Sequence, residues 1–327
     1  MTDPKAGPPM TPDEGIYLGV DIGGTKVLAA EVGADGQVVA TARRTTPGRR
    51  VEVALVEDAL TEAVQEVAAG RPIAGVGLAA AGFVDASGER VMFAPHLPWR
   101  GDPTRSRLAD RWDTTVVLDN DANCAVRAEG VYGVARGAED IVMVTLGTGI
   151  GGAVVVGGRI HRGRNGMAGE FGHMQVLPDG APCECGGFGC WEQYCSGNAL
   201  VRFVRTRLGR VPTVLEQWCE GDGERLTGPM VTTAAEHDDP VALQAFESVG
   251  DWLGVGLANL VAALDPEVVV IGGGVSAAGD LLLEPARSAL VRSLVGAGHR
   301  QVPPVHPARF GPHAGVVGAA HLARSTS

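Results

Sequence analysis

The sequence lacks the marks of membrane, collagen-like and disordered proteins. No apolar run approaches the roughly 20 residues of a membrane-spanning helix, and its 48 glycines follow no Gly-X-Y repeat. Residues 1–15 are polar and proline-rich, which predicts a disordered lead and neither a signal nor a transit peptide. Hydrophobic residues form 45% of the 327-residue chain, enough for two domains with cores of their own. We therefore expect a cytoplasmic protein without a membrane partner.

Lysine is scarce as well, because Lys5 and Lys26 are the only two in the sequence. The chain has 27 basic and 38 acidic residues, which gives a formal net charge of -11. Such a surface repels phosphate backbones, so we expect no nucleic-acid partner. The sequence also has no G-x-x-x-x-G-K-[ST] segment, which excludes a P-loop enzyme.

The order of predicted elements repeats once along the chain. From Ile16, three antiparallel strands precede helix, strand, helix, strand and helix. At Ile141 the pattern restarts with a strand, a Gly–Thr turn and a strand, and a long helix follows between Asp239–Pro240 and Asp265–Pro266. This repeat predicts an internally duplicated α/β protein.

Local sequence patterns also predict the ends of helices and the bounds of the domains. The first helix is expected to stop at Gly70, and the third is expected to begin after residues 119–124. We predict a small α/β domain over 16–125 and a large α/β domain over 126–312 that carries the cysteine loop. The last helix, about 313–327, is expected to pack back on the small domain.

Glycine-rich turns follow several predicted strands. In the first, DIGGTK (21–26), glycine amides, the Thr25 hydroxyl and the Lys26 ammonium can approach a phosphate, and Asp21 can hold Mg²⁺ through water. An ordinary hairpin turn is an equally good interpretation of this segment alone.

The second turn, LGTGIGG (146–152), matches G-x-G-x-x-G, but β-type residues follow it instead of the helix that a dinucleotide site requires. The interpretation that remains for this turn is a β-hairpin that binds phosphate. The third, IGGGVS (271–276), ends a strand and suits a nucleoside or a plain strand-to-helix turn. Two phosphate turns in corresponding halves predict a nucleotide held between two like domains.

Three cysteines follow the spacing C-x-C-x₄-C at Cys183, Cys185 and Cys190. Thiolates on a glycine-rich loop commonly bind Zn²⁺, and His173 is the nearest candidate for a fourth ligand. Four protein ligands leave no position for water, so the predicted zinc is structural. The other cysteines are interpreted as small buried residues: Cys124, Cys195 and Cys219.

Carboxylates and amides near these motifs suit a polyhydroxylated ligand. Asn120 and Asp121 close a strand, Glu170 precedes the cysteine loop and Glu192 lies within it. An aspartate beside a substrate hydroxyl can accept its proton during phosphoryl transfer. For each acid taken alone, a helix cap or a solvated face is the alternative.

Six motifs together resemble the ROK family (repressor, open reading frame, kinase), collinearly from about residue 17 to about 320. They are DIGGTK (21–26), DNDAN (119–123), LGTGIGG (146–152), GEFGHM (169–174), CECGGFGCWEQYCSG (183–197) and IGGGVS (271–276). The resemblance implies an ATP-dependent hexose kinase. It also implies the actin-like, ribonuclease-H-like duplicated α/β fold with a cleft between two domains.

The resemblance further implies roles for individual residues. Asp121 matches the general base. The sugar-binding positions are Gly82, His96, Asn120, Asp121, Glu170, His173 and Glu192. The positions for ATP and Mg²⁺ are Asp21, Gly23, Gly24, Thr25, Lys26, Gly147, Thr148, Gly149, Gly273 and Gly274. The ligands of a structural Zn²⁺ are His173, Cys183, Cys185 and Cys190.

Within the family, the sequence is most similar to those of kinases that phosphorylate glucose at its 6-hydroxyl. Those kinases commonly carry P-N-x-x-W, whereas this chain has His96 in place of the asparagine of that motif. The alternatives are therefore another hexose, an N-acyl hexosamine such as N-acetylmannosamine, or a non-catalytic sugar sensor or repressor. The resemblance also implies a homo-oligomer, a dimer or a tetramer.

Overall fold

The computed structural model describes residues 15–326, so the predicted lead, apart from Gly15, lies outside the described residues. Contacts divide the chain into two compact units. The first contains the described residues up to Ala128 and those from Gly315 onward, and the second runs from Glu129 to Ala314. No helix among the described residues is long and apolar enough to cross a membrane.

Both units contain strands and helices. The strands are β1 (Ile16–Ile22), β2 (Lys26–Val32), β3 (Val38–Thr45), β4 (Ile73–Ala80), β5 (Phe83–Val84), β6 (Val91–Phe93), β7 (Val116–Asn120), β8 (Ile141–Leu146), β9 (Ile150–Val156), β10 (Arg159–Ile160), β11 (Val268–Gly272) and β12 (Val305–Pro307). The helices are α1 (Val53–Ala68), α2 (Thr104–Trp112), α3 (Asp121–Tyr132), α4 (Gly197–Arg205), α5 (Val214–Trp218), α6 (Gly228–Glu236), α7 (Pro240–Leu264), α8 (Asp280–Ser293) and α9 (Ala314–Thr326).

The two main sheets share one topology within residues 15–326. The first has the order β3-β2-β1-β4-β7 and the second β10-β9-β8-β11-β12. In each sheet the first three strands along the chain are antiparallel, and two later strands run parallel to the opening one. The predicted internal duplication is confirmed. The sequence interpretation missed the small β5–β6 hairpin and the helices α4 to α6.

The first unit packs α1 and α9 on its sheet. The apolar stripe of α1, including Val56, Leu60 and Val64, is buried as predicted. The predicted stop at Gly70 is one residue late, because Ala69 already has φ 50° and ends the helix. α9 lies so close to β1 that a Cβ on Gly19 would be 1.8 Å from the Val316 carbonyl oxygen.

The second unit is built around α7, the long helix that the sequence predicts. Asp239 caps its start by accepting hydrogen bonds from the amides of Val241 and Ala242, at 3.0 and 2.9 Å. Asp265, with φ 45°, ends it. α7 packs against α8 and buries Phe246 and Leu253 in the main core of this unit. Cys195 and Cys219 belong to that core, in agreement with their interpretation as small hydrophobic residues.

Candidate functional site

The first glycine turn joins β1 to β2 and has a fixed backbone. The Gly23 amide donates to the Lys26 carbonyl at 3.0 Å. Thr46 holds the turn from outside, since its hydroxyl donates to the Gly23 carbonyl at 2.8 Å and its amide to the Thr25 carbonyl at 3.1 Å. Thr25 and Lys26 are exposed, so a hydroxyl and an ammonium face solvent. No local sequence pattern predicts that Thr46 holds this turn.

Asp21, the second-last residue of β1, is a half-buried acid. Burial, and secondarily the Asp121 carboxylate, raises the pKa of Asp21 to about 7, while Lys26 opposes the rise. A Cβ on Gly315 would lie 3.0 Å from the Asp21 Oδ2, so the start of α9 confines the carboxylate. An acid whose ionisation a neighbouring carboxylate disfavours provides a place for a proton or, once ionised, for a cation.

Asp121 is the first residue of α3, which corrects the expectation that this helix begins after residues 119–124. The reason is Asn120, whose Oδ1 accepts hydrogen bonds from the amides of Ala122 and Asn123 at 2.9 and 3.2 Å and caps the helix early. Burial raises the pKa of Asp121, whereas hydrogen bonds from Ala122 and Asn120 oppose the rise. The carboxyl therefore combines burial with a position at a helix N-terminus.

Gly82 and His96 lie on the same side of the first unit as these groups. The Asn120 side chain donates to the Gly82 carbonyl at 3.1 Å. A Cβ on Gly24 would lie 2.6 Å from the His96 Cβ, so His96 rests against the glycine turn. Its loop is held by Arg100, whose Nη1 donates to backbone carbonyls on either side of His96. The sequence interpretation missed this role of Arg100.

The second glycine turn joins β8 to β9 and repeats the first. The Gly147 amide donates to the Gly149 carbonyl at 2.9 Å, and the Gly197 amide donates to the Gly147 carbonyl at 2.8 Å. Gly147 and Thr148 are exposed. A strand follows the turn, which confirms the rejection of a dinucleotide site.

The third turn lies beside the second because β8 and β11 are neighbouring parallel strands. Gly273 has φ 82°, and a Cβ on it would lie 2.3 Å from the Leu146 carbonyl oxygen. The Ser276 hydroxyl donates to the Gly273 carbonyl at 2.7 Å, while Gly274 is exposed. The second unit thus brings the predicted phosphate and nucleoside positions together.

The four predicted zinc ligands form one cluster. The candidate ligand atoms of His173, Cys183, Cys185 and Cys190 all lie within 4.8 Å of one another. Cys183 Sγ is 3.7 Å from His173 Nδ1, and Cys185 Sγ is 3.6 Å from Cys190 Sγ. Tetrahedral zinc, about 2.3 Å from sulfur and about 2.1 Å from nitrogen, separates its ligand atoms by about 3.6–3.8 Å.

The chemistry of the cluster also suits a cation. Burial and the neighbouring thiols raise the pKa of Cys190 to about 12, so its thiolate needs a positive charge nearby. The residues present fit a closed zinc site of three sulfurs and one imidazole, as the sequence predicts.

Two acids, Glu170 and Glu192, lie close in sequence to members of this cluster. The His173 amide donates to the Glu170 carbonyl at 3.2 Å in a short 3₁₀ helix, and both side chains are exposed. Glu192 follows the ligand Cys190 by two residues, and its side chain is 17% exposed. Its Oε1 lies 3.2 Å from Cys183 Sγ. The structure thus gathers the predicted site residues of each unit into a local group.

These features define the class of the protein. Two α/β sheets of one topology each carry a Gly–Thr turn between an opening antiparallel strand pair, with the half-buried acids Asp21 and Asp121 in the first unit. This is the actin-like, ribonuclease-H-like class of phosphotransferases.

The chain belongs to the ROK family, whose profile matches residues 17–326. It is 40% identical to a glucokinase of Streptomyces coelicolor, over 95% of this chain and 98% of that protein. The crystal structure of a ROK family glucokinase from Streptomyces griseus in complex with glucose and AMPPNP is 41% identical, with a TM-score of 0.88 over 95% of this chain and all of that one. A ROK hexokinase from Thermus thermophilus is 32% identical, with a TM-score of 0.74 over 95% and 98%. The predicted family and fold class are confirmed.

Proposed function

We propose that this protein is an ATP-dependent glucose kinase, which transfers the γ-phosphoryl group of ATP to the 6-hydroxyl of glucose. The observation that carries the proposal is the pair of half-buried carboxyls, Asp21 and Asp121, beside the glycine turn of the first unit, both with a raised pKa. The similarity to glucokinases over nearly the whole chain supports the same function.

Asp121 is the proposed general base. Burial raises its pKa, which makes the ionised carboxylate a better proton acceptor than a solvated aspartate. Asp121 takes the proton of the 6-hydroxyl as that oxygen forms its bond to the γ-phosphorus. The bond from the γ-phosphorus to the bridging oxygen breaks, and ADP leaves with the electron pair.

The nucleotide contacts are proposed for both glycine turns. In the first unit the residues that contact phosphate are Gly23, Gly24, Thr25 and Lys26, and in the second Gly147, Thr148 and Gly149. Gly273 and Gly274 contact the nucleoside. Asp21 would hold Mg²⁺, which would supply positive charge against the phosphates.

The sugar contacts are proposed for residues of both units: Gly82, His96, Asn120, Asp121, Glu170, His173 and Glu192. His173, Cys183, Cys185 and Cys190 would hold a structural Zn²⁺, and the loop that carries Glu192 would be fixed through these ligands. We further propose a cytoplasmic homo-oligomer that binds no nucleic acid. We also propose that each chain has a small domain over 16–125, on which the last helix of about 313–327 packs, and a large domain over 126–312.

The test is a phosphorylation assay with glucose, mannose and N-acetylmannosamine as acceptors and ATP, GTP and polyphosphate as donors. We expect the highest kcat/KM for glucose with ATP. Asp121→Asn should reduce kcat by about 10²–10⁴-fold while glucose still binds, since the amide cannot accept the proton. Asp110→Asn, at an exposed residue of α2, is the control and should keep full activity. Glucose binding without turnover in the unmodified protein would instead identify a sugar sensor.

A further inference from the structure

The loop that carries His96 follows the strand β6 and covers residues 94–100. Its two prolines, Pro95 and Pro98, have no amide hydrogen and cannot donate to the carbonyl groups of the loop. Trp99 is fully buried, whereas His96 is exposed. The loop is thus anchored at one end, and its carbonyl groups need hydrogen-bond donors from side chains.

Arg100, the last residue of the loop, supplies such a donor. Its Nη1 lies 2.9 Å from the Ala94 carbonyl oxygen, 2.8 Å from that of Leu97 and 2.5 Å from that of Trp99. These acceptors lie on both sides of His96 in the sequence. One guanidinium nitrogen therefore joins the two ends of the loop.

The Arg100 side chain is itself held in place. The carbon of its guanidinium lies 4.7 Å from the centre of the Phe93 ring, which is a cation–π contact. The Arg100 amide donates to Asp102 Oδ2 at 2.7 Å and fixes the backbone that carries the side chain. A planar guanidinium can stack on a ring and donate hydrogen bonds at the same time, which an ammonium cannot do.

The loop lies against two glycines of the proposed site. A Cβ on Gly24 would lie 2.6 Å from the His96 Cβ, and a Cβ on Gly82 would lie 2.5 Å from the Phe93 carbonyl oxygen. The Gly82 carbonyl also accepts the hydrogen bond from the Asn120 side chain. Because neither gap admits another carbon atom, a shift of the loop changes the contacts of His96 and Gly82.

We propose that Arg100 is a positioning residue for the acceptor sugar, because it holds His96 in place against Gly24. The inference deepens the proposed function and rests on it, since it requires that glucose contacts His96. Without the guanidinium the loop carbonyls lose their donor, and His96 occupies several positions. The affinity for glucose then falls, and so does the selectivity among hexoses that differ in one hydroxyl.

The first test measures glucose binding by calorimetry, without nucleotide, in Arg100→Met and Arg100→Lys. Methionine keeps an unbranched side chain without donors, whereas the lysine ammonium has three donors for the same carbonyls. We expect Arg100→Met to weaken glucose binding about 10–100-fold and Arg100→Lys to recover part of that loss. Unchanged affinity in Arg100→Met, or equal losses in both variants, would overturn the inference.

Arg71→Met is the matched control for a loss of stability alone. Arg71 is also exposed, and it donates to the carbonyls of Ala68 at 3.2 Å and Val67 at 3.1 Å. Because it also pairs with Glu31, its replacement should lower the melting temperature, while the glucose affinity stays within about twofold. If both variants weaken glucose binding in proportion to their loss of melting temperature, Arg100 acts on stability alone and the inference fails.

A double-mutant cycle tests whether Arg100 acts through His96. In the His96→Ala background, Arg100→Met should weaken glucose binding by less than about twofold more, because the side chain that it positions is absent. The ratio of kcat/KM for glucose and mannose should change in Arg100→Met, and the second substitution should not change it in His96→Ala. Effects that multiply in the double variant would contradict the route through His96.

The glucose phosphorylation assay separates this inference from the proposed function. Glucose binding that depends on Arg100, without turnover, would leave the inference standing and remove the function. Turnover of glucose that Arg100→Met leaves unchanged would do the reverse. An unmodified protein that does not bind glucose would refute both.

Discussion

Replacing Asp21 by asparagine should stabilise the first unit at alkaline pH and remove activity. Burial and the Asp121 carboxylate raise the pKa of Asp21 from 3.8 to about 7. Because the folded state has the higher pKa, the contribution of this group to stability is complete below about pH 4 and is lost as the pH rises through 7. Asparagine has a similar shape and carries no charge, so the variant lacks this loss.

The magnitude follows from the size of the pKa change. At 1.36 kcal/mol for each pKa unit, the raised pKa of Asp21 costs up to about 4 kcal/mol at pH 8 and about 1.6 kcal/mol at pH 5, where the folded state keeps the proton that the unfolded state releases. The gain of Asp21→Asn over the unmodified protein should therefore rise about two- to threefold between these pH values. The buffer contains no magnesium, because Mg²⁺ that binds the folded state would offset the cost of ionising Asp21.

The assay must report on one unit, since a chain with two units does not unfold in a single step. Pulse-labelled hydrogen exchange of peptides from β1 and β2 at increasing urea gives the stability of the first unit. Asp85→Asn is a control of opposite sign. Burial alone would raise the pKa of Asp85, but hydrogen bonds from Ser87 and from the Arg90 and Glu89 amides outweigh it and lower that pKa. The Asp85→Asn variant should therefore lose stability at pH 8. An Asp21→Asn gain that is absent, or equal at both pH values, would refute the reasoning.

Three further predictions concern the metal, the sugar and the pH profile. Chelation or Cys185→Ser should lower the melting temperature and weaken glucose binding about 10–100-fold. Metal analysis and calorimetry test this prediction. A purified protein that contains no zinc, and whose stability does not change with a chelator, would contradict it. His96→Asn should change the ratio of kcat/KM for glucose and mannose, since His96 rests against Gly24; an unchanged ratio excludes His96 from specificity. Because Asp21 takes up a proton near its pKa of about 7, kcat/KM should fall below that pH. Added magnesium should move this fall to lower pH, and a pH-independent rate would remove Asp21 from the mechanism.

The features that the sequence predicts well depend on short-range spacing. The cluster of three cysteines and His173 follows from ligand spacing along one segment, and the structure places the four side chains together. The ends of α7 follow from Asp239 and Asp265, each of which acts on its immediate neighbours. The duplicated topology follows from the repeated strand order because antiparallel neighbours are joined by short turns.

The features that the sequence did not predict depend on contacts between distant segments. Thr46 fixes the first glycine turn from the end of another strand, and no local pattern marks a threonine for that role. Glu192 meets Ile150 across 42 positions of the chain. The early start of α3 was missed because Asn120 was interpreted as a ligand residue, whereas its side chain is also a helix cap.

The two glycine turns occupy corresponding positions in the two copies of the duplicated fold. Asp21 is the second-last residue of β1, and the corresponding residue of β8 is Thr145. Asp21 pairs with Ala79 of the parallel neighbour β4, just as Thr145 pairs with Gly272 of β11. Equivalent backbone positions thus hold an acid in one unit and a neutral hydroxyl in the other. The duplication thus keeps the backbone of the turn in both units, while only the first unit has at this position the acid that the proposed Mg²⁺ site requires.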